Sequence, residues 1–385
     1  MDYSELKRWS RDPKRKDVAA RCAQRLLALC KQLEPICKLK SERSLLLATW
    51  NIRDFDSNKF GYGPRLPETF FYLAEIISAF DLVAIQEVNR DLRALQTVMR
   101  ILGREWDFIA TDATEGPGGK DERMAFVYNT EKVWFRKIAG EIVLPEGQLV
   151  VAKKKMKKAP AESEMSNVEE ATNAGFMEVR QQFSRSPFAV AFQSGWFKFS
   201  LCTVHIYYGA ESGEKLKQRI AEIQQLVRFF AKRQDSESKA ERDELGNVEN
   251  YILLGDFNVV SPKHETMVAL QSEGFVVPPA ISGENVRPPG HHFYDQIAVR
   301  VKDKRFSVTG GGILNMYENV FRDEDFDIYR ERLPASDPEK NKKFKAKTPE
   351  DLYRKWRTWQ MSDHDPLWIS IETDFADHYL RQIAE

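Results

Sequence analysis

Short apolar runs of strand length, broken repeatedly by helical periodicity, constrain the fold of this chain more than any other feature. SLLLATWN (44–51), DLVAIQEV (81–88), RMAFVYN (123–129), FAVAFQS (188–194), WFKFSLCTVHI (196–206), YILLGDF (251–257), YDQIAVRV (294–301) and PLWISIE (366–372) read as strands. WDFIATD (106–112) and VWFRKI (133–138) read the same way. Between them, LPETFFYLAEIISAF, RDLRALQTVMRILG, EKLKQRIAEIQQLVRFFAKR and HETMVALQSEG place apolar residues at helical spacing. Residues 1–43 form a helical extension ahead of this alternation, and 374–385 a tail behind it. The class is α/β, with one large domain expected over 44–373.

Two segments break the rhythm. Residues 151–175 carry five lysines without periodicity and predict a loop. Residues 318–360 mix charges with enough aromatics to order in part. With 42% hydrophobic residues the chain carries enough apolar material for a sizeable core. Lys plus Arg equal Asp plus Glu at 58 each, so any basic surface is local. The four cysteines lack metal-ligand or paired spacing and read as free thiols. The charged start MDYSELKRWSRDPKRKD has no signal-peptide core, and no apolar run approaches the roughly 20 residues of a membrane span, so a cytoplasmic enzyme without membrane contact is expected.

Polar residues sit where the apolar runs end. Asn51 follows LLLATW, Glu87 follows DLVAIQ, His205 follows FSLCTV, and Asp256 and Asn258 follow YILLG. Asp295 precedes QIAV, and Asp363 and His364 precede PLWISI. Strand ends are where open α/β sheets hold ligands. Carboxylates and amides of this kind suit Mg²⁺, Mn²⁺ or Ca²⁺ better than zinc. Two histidines among them suit proton transfer near neutral pH.

WNIRDF, AIQEV, KDERMAFVYN, VHIYYG, LLGDFNV, YDQIAV and SDHDPLW occur in the order found in the endonuclease/exonuclease/phosphatase superfamily, and resemble its deoxyribonuclease I branch most. The resemblance implies a four-layer α/β sandwich: two facing, mostly antiparallel sheets with helices outside. It implies a metal held by Glu87, Asn51 and Asp363, with Mg²⁺ the expected ion. It makes His205 and His364 the proton-transfer pair, each leaning on a carboxylate, Glu122 for His205 and Asp295 for His364. Asp256 and Asn258 then hold the scissile phosphate, the attacking water or a second cation, and Arg53 and Arg123 contact phosphate. The chain departs from the branch at Asn89, where an arginine fits the pattern better.

The implied activity is metal-dependent hydrolysis of a phosphodiester in nucleic acid: a DNA endonuclease leaving 5′-phosphate ends. Two alternatives stay open. One is a phosphatase or phosphodiesterase acting on a lipid, inositol phosphate or nucleotide; the other is a partner-binding module on the same fold. Some residues read more simply. Arg65 in YGPRLP fits a solvated turn, His264 and His378 fit the surface, and His291 and His292 fit a loop. Tyr207, Tyr208, Trp356 and Trp359 serve either base stacking or packing.

Overall fold

The computed structural model describes residues 1–113, 122–155, 168–172, 176–240, 249–283, 286–287, 292–334 and 345–384. The chain begins with α1 (Ser4–Trp9), α2 (Lys16–Cys37), β1 (Ser44–Phe55), α3 (Pro67–Ser78), β2 (Leu82–Asn89), α4 (Arg93–Leu102), β3 (Trp106–Ala110) and β4 (Glu122–Asn129). It continues with β5 (Trp134–Glu141), β6 (Val150–Lys155), β7 (Val168–Thr172), β8 (Phe176–Gln181), β9 (Phe188–Ser194), β10 (Phe197–His205), α5 (Gly213–Ala240) and β11 (Asn250–Asp256). Then come α6 (Glu265–Leu270), α7 (Pro279–Ser282), β12 (Asp295–Arg300), β13 (Val308–Ile313), α8 (Phe326–Tyr329), α9 (Pro349–Gln360), β14 (Leu367–Glu372) and α10 (Ala376–Ala384). Two compact units result: Met1–Ala113, Asp121–Trp134 and Val308–Asp374 make the first, and chiefly Phe135–Ser307 with Phe375–Glu385 the second. Each holds a large sheet flanked by helices, the mixed α/β architecture expected.

The first unit's sheet runs β13-β14-β1-β2-β4-β3. Only β1 and β2 pair in parallel; the other neighbours are antiparallel. Alternation along β1 sends Leu46, Ala48, Trp50 and Ile52 into the core formed with α1–α4, while Leu45, Leu47, Thr49 and Asn51 lie on the opposite face, also buried. The N-terminal helices belong to this core through Cys22, Leu26, Leu29 and Leu33. Arg21 and Arg25 pair with the buried carboxylates Glu68 and Asp325. In the 318–360 segment, Tyr353 and Trp356 are buried in the same core, so Trp356 packs. Helix α9 starts on Thr348, whose hydroxyl accepts from Asp351 N at 3.1 Å, with Pro349 in the first turn.

Strand β13 has the sequence VTGGGI, which gives no strand signal. It pairs antiparallel with β14, and Gly312 faces the Trp368 ring, which a Cβ there would meet in ordinary contact at 3.5 Å.

The second unit repeats the plan in the order β12-β11-β10-β9-β5, with β10 and β11 parallel and β9 and β12 antiparallel to their neighbours. Helix α5 contributes buried Ile223, Leu226, Val227 and Phe230, the last 5.1 Å from the Tyr251 ring. The stretch read as a loop from its lysines, 151–175, holds most of β6 and all of β7, which with β8 directly after it form a separate three-stranded sheet. Lysines on consecutive positions erase the two-residue alternation in β6, and VEEAT and FMEVRQ are too short and too charged to give a clear one. Residues 156–167 and 173–175 of that stretch lie outside the described residues. No helix among the described residues is long and apolar enough to cross a membrane, and the four cysteines are free thiols.

Gly255 has φ +130°, and a Cβ there would lie 2.2 Å from the Val204 carbonyl oxygen on β10. Only glycine lets the two parallel strands close at this point. The Gly255→Ala variant should lose about 2 kcal/mol or more of stability, read by urea denaturation; unchanged stability would contradict the close approach.

Candidate functional site

The first unit gathers its polar side chains where β1 and β2 stop alternating. Asn51 pairs with Gln86 and Phe55 with Val88, so Ile52, Arg53 and Asp54 run opposite Glu87 alone. Before the break, Val83 and Ile85 face the helices; after it, Val88 does. Regular alternation would have driven Glu87 into that apolar core. The bulge, with Glu87 at φ +59° and Asp54 at φ +43°, turns it away. Asn51 Nδ2 then donates to Glu87 Oε1 at 3.1 Å, and Asp54 N donates to Oε2 at 2.9 Å. Non-glycine residues at positive φ carry strain that persists only where surrounding structure enforces it.

The enforcement comes from Ser362, which the sequence did not single out, and from Arg65, which it read differently. The Ser362 hydroxyl is fully buried. It donates to Asn51 O at 2.6 Å and accepts from Arg53 N at 3.2 Å and His364 N at 3.1 Å. Trp50 Nε1 donates to His364 O at 2.9 Å. The SDH stretch is thus tied directly to the WNIR stretch. Arg65, expected in a solvated turn, is buried instead, and burial pushes its pKa down. Its guanidinium donates to the carbonyls of Arg53, Asp54, Gln360 and Met361 and reaches Asp56 Oδ1 at 3.3 Å. A buried cation with that many acceptors is a clamp, not a surface group.

Asp363 is more exposed and pairs with Arg53 at 3.1 Å. Arg53 also donates to Thr358 Oγ1 at 2.6 Å and lies over the Trp359 ring at 3.9 Å. Glu122 and Arg123 sit on β4, opposite Asn89 and Val88 of β2. Arg123 donates to Thr111 O at 2.6 Å and pairs with Asp112 at 3.2 Å. Asn89 caps a turn by accepting from Asp91 N.

In the second unit the register aligns three strand ends. His205 pairs with Asp256, and Asp256 with Asp295, so β10, β11 and β12 offer the three residues in one cross-strand row. His205 Nε2 lies 3.7 Å from Asp256 Oδ2. Asp256 Oδ1 accepts from Asn258 N at 2.9 Å, an Asx turn that fixes the carboxylate. Asn258 sits at φ +51°, a conformation asparagine tolerates, and donates to Ile206 O at 2.8 Å.

Arg219 of α5 is fully buried and donates to the carbonyls of Asn258, Tyr208 and Ala210. Burial pushes its pKa down as well. Arg287 holds the 292–295 segment through His292 O at 2.7 Å and Asp295 O at 2.6 Å. His292 stacks on Tyr294 at 4.3 Å, with Tyr208 6.2 Å beyond. His264, expected as a surface residue, caps α6 by accepting from Thr266 N. His291 lies outside the described residues. Glu122 and His364 belong to the first unit, His205 and Asp295 to the second.

A cation site is best matched by the first unit's donors. Among the described residues no three His, Cys, Asp or Glu side chains gather as a metal-binding group. Mg²⁺ does not require one: it keeps several waters and takes one or two carboxylates with substrate oxygens. Glu87, set beside the Asn51 amide by the bulge, fits that demand.

No family model and no curated protein matches the sequence. Solved structures do align with it. An endonuclease/exonuclease/phosphatase family protein from Bacteroides thetaiotaomicron shares 17% identity, covering 86% of this chain and 95% of that one, with a TM-score of 0.47. The mannosyl-6-phosphatase Bt3783 of the same organism shares 16% over 85% and 99%, at 0.46. The human Nocturnin catalytic domain, with a bound sulfate anion, shares 14% over 86% and 93%, at 0.48.

The Ser362→Ala variant removes the acceptor of two backbone N–H groups and should cost about 1–3 kcal/mol in urea denaturation. Wild-type stability in that variant would show that the hydroxyl does not hold the two stretches together.

Proposed function

We infer that the chain belongs to the endonuclease/exonuclease/phosphatase superfamily and is a divalent-metal-dependent phosphoesterase, a DNA endonuclease leaving 5′-phosphate ends. The observation that carries the reading is the bulge that withdraws Glu87 from an apolar core and sets it 3.1 Å from the Asn51 amide. A carboxylate presented this way at a strand end, against the alternation of its own strand, has a ligand-binding purpose that packing does not explain. The order of the sequence motifs supplies the reaction class.

Glu87 and Asn51 would hold the cation, and Asp363, paired with Arg53, would add a carboxylate from the stretch that Ser362 ties to β1. Bound there, the cation would neutralise charge on the phosphoryl oxygens. His205 accepts a proton at Nε2 from the attacking water, and the nearby Asp256 carboxylate steadies the resulting imidazolium. Water oxygen bonds to phosphorus as the bond from phosphorus to the 3′ oxygen breaks. His364 gives that oxygen its proton, so the phosphate stays on the 5′ side. Asp295 and Glu122 orient the imidazoles, Asn258 and Asp256 position the phosphate or water, and Arg53 and Arg123 bind phosphate.

Plasmid cleavage with Mg²⁺ or Mn²⁺ should stop on adding EDTA and fall about a hundred-fold or more in His205→Ala and in Glu87→Gln. Cleavage undiminished in His205→Ala removes that histidine from the reaction. A panel adding inositol phosphates and mononucleotides checks the substrate: turnover of these above DNA would replace the nuclease reading with that of a small-molecule phosphatase.

A further inference from the structure

Trp359 and its neighbours form a cluster that the proposed chemistry does not use. Trp359 comes from α9, in the 318–360 segment. One partner of its ring is the Arg53 guanidinium, 3.9 Å from the centroid. Tyr62 stacks on it at 5.0 Å and 14°, and Phe60 leans against it at 4.6 Å. Phe60 is 41% exposed, an aromatic side chain left open to solvent. Lys59 lies over the Phe60 ring at 5.3 Å and pairs with Asp54. The loop carrying these rings leaves β1 directly beyond the bulge, and Arg53 is tied to Ser362 through its backbone N–H.

The charged edges of Arg53 are held by Thr358 and Asp363 while its flat face covers the indole. Guanidinium and ring are therefore fixed together, and with Lys59 over the Phe60 ring they set positive charge along the edge of a flat aromatic surface. Flat rings beside cations are the pairing that binds single-stranded nucleic acid, the rings stacking on bases and the cations following the backbone. Sugar phosphates and inositol phosphates lack the aromatic π face that every base offers such a surface.

We propose that the exposed Phe60 ring, backed by Trp359 and Tyr62, is a stacking platform for an unpaired nucleobase whose backbone follows the Lys59 and Arg53 cations, so that the substrate is a single-stranded or locally unpaired nucleic acid. This deepens the phosphoesterase reading and rests on it for the role of Arg53. Base–aromatic stacking contributes about 1–3 kcal/mol per base, a preference of about five-fold to 150-fold over the same backbone without the base.

The test measures binding in EDTA, where turnover is absent, of a fluorescently labelled oligothymidylate and of an abasic tetrahydrofuran oligomer of equal length and charge. Wild-type protein should prefer oligothymidylate at least about five-fold. Phe60→Leu, which keeps apolar bulk on Trp359 but removes the ring, should reduce that preference to within about two-fold; Tyr62→Leu supplies a second variant. Circular dichroism melting checks that each variant is folded. Equal wild-type affinity for the two oligomers, no binding of either, or full preference retained in both folded variants overturns the platform. Wild-type hydrolysis of bis(p-nitrophenyl) phosphate with Mn²⁺ reports the phosphoesterase reading separately. Hydrolysis without base preference removes only the platform; base preference without hydrolysis of any diester removes the enzyme.

Discussion

Three residues of β1 run opposite a single residue of β2, and that mismatch governs the first unit's polar site. Up to Asn51 and Gln86 the two parallel strands keep step. Beyond it, Phe55 and Val88 return to the helix-facing core, and the residues between them are pushed out of alternation. Glu87 and Asp54 take positive φ as a result. An extended backbone would bury the Glu87 carboxylate among aliphatic side chains, at a cost of several kcal/mol for an uncompensated charge. The bulge removes that cost and gives both carboxylate oxygens a donor, the Asn51 amide and the Asp54 N–H.

The irregularity is held from outside the two strands. Ser362 and Arg65 bond backbone groups on either side of the break, and Arg65 reaches residues about three hundred positions away. The second unit handles its own strand ends with similar means. Its parallel pair closes over Gly255, its polar turn follows at Asn258, and a fully buried arginine, Arg219, gathers the carbonyls around it. In both units a central parallel pair ends in carboxylate and amide side chains, and a buried guanidinium fixes the loop beyond. Such rigid support is what a site needs if its groups are to be set before substrate arrives.

Much of this was legible in the sequence for a simple reason. Apolar runs mark strands, and a polar residue directly after such a run stands out; Asn51, Glu87, His205, Asp256 and Asp295 were found that way. The supporting residues were not legible, because their partners are carbonyls brought near only by the fold. Arg65 looks like a turn residue until Gln360 and Met361 arrive beside it, and Ser362 looks like punctuation. Arg219 did leave a signal, an arginine four positions before Ile223 on the apolar side of α5, where a solvated charge has no place. Strand β6 escaped because lysines masked its alternation, β7 and β8 because charged residues interrupt their short apolar patterns, and β13 because three glycines replaced its side chains. The Arg53–Trp359 stack joins residues about three hundred positions apart, beyond any local pattern.

The central claim is that the bulge exists to present Glu87, with Asn51, to a divalent cation. Anomalous diffraction from crystals soaked in Mn²⁺ tests it most directly. The account predicts a manganese peak about 2.2 Å from a Glu87 carboxylate oxygen, lost in Glu87→Gln. A peak at other residues, or none beside Glu87 at millimolar Mn²⁺, would contradict it.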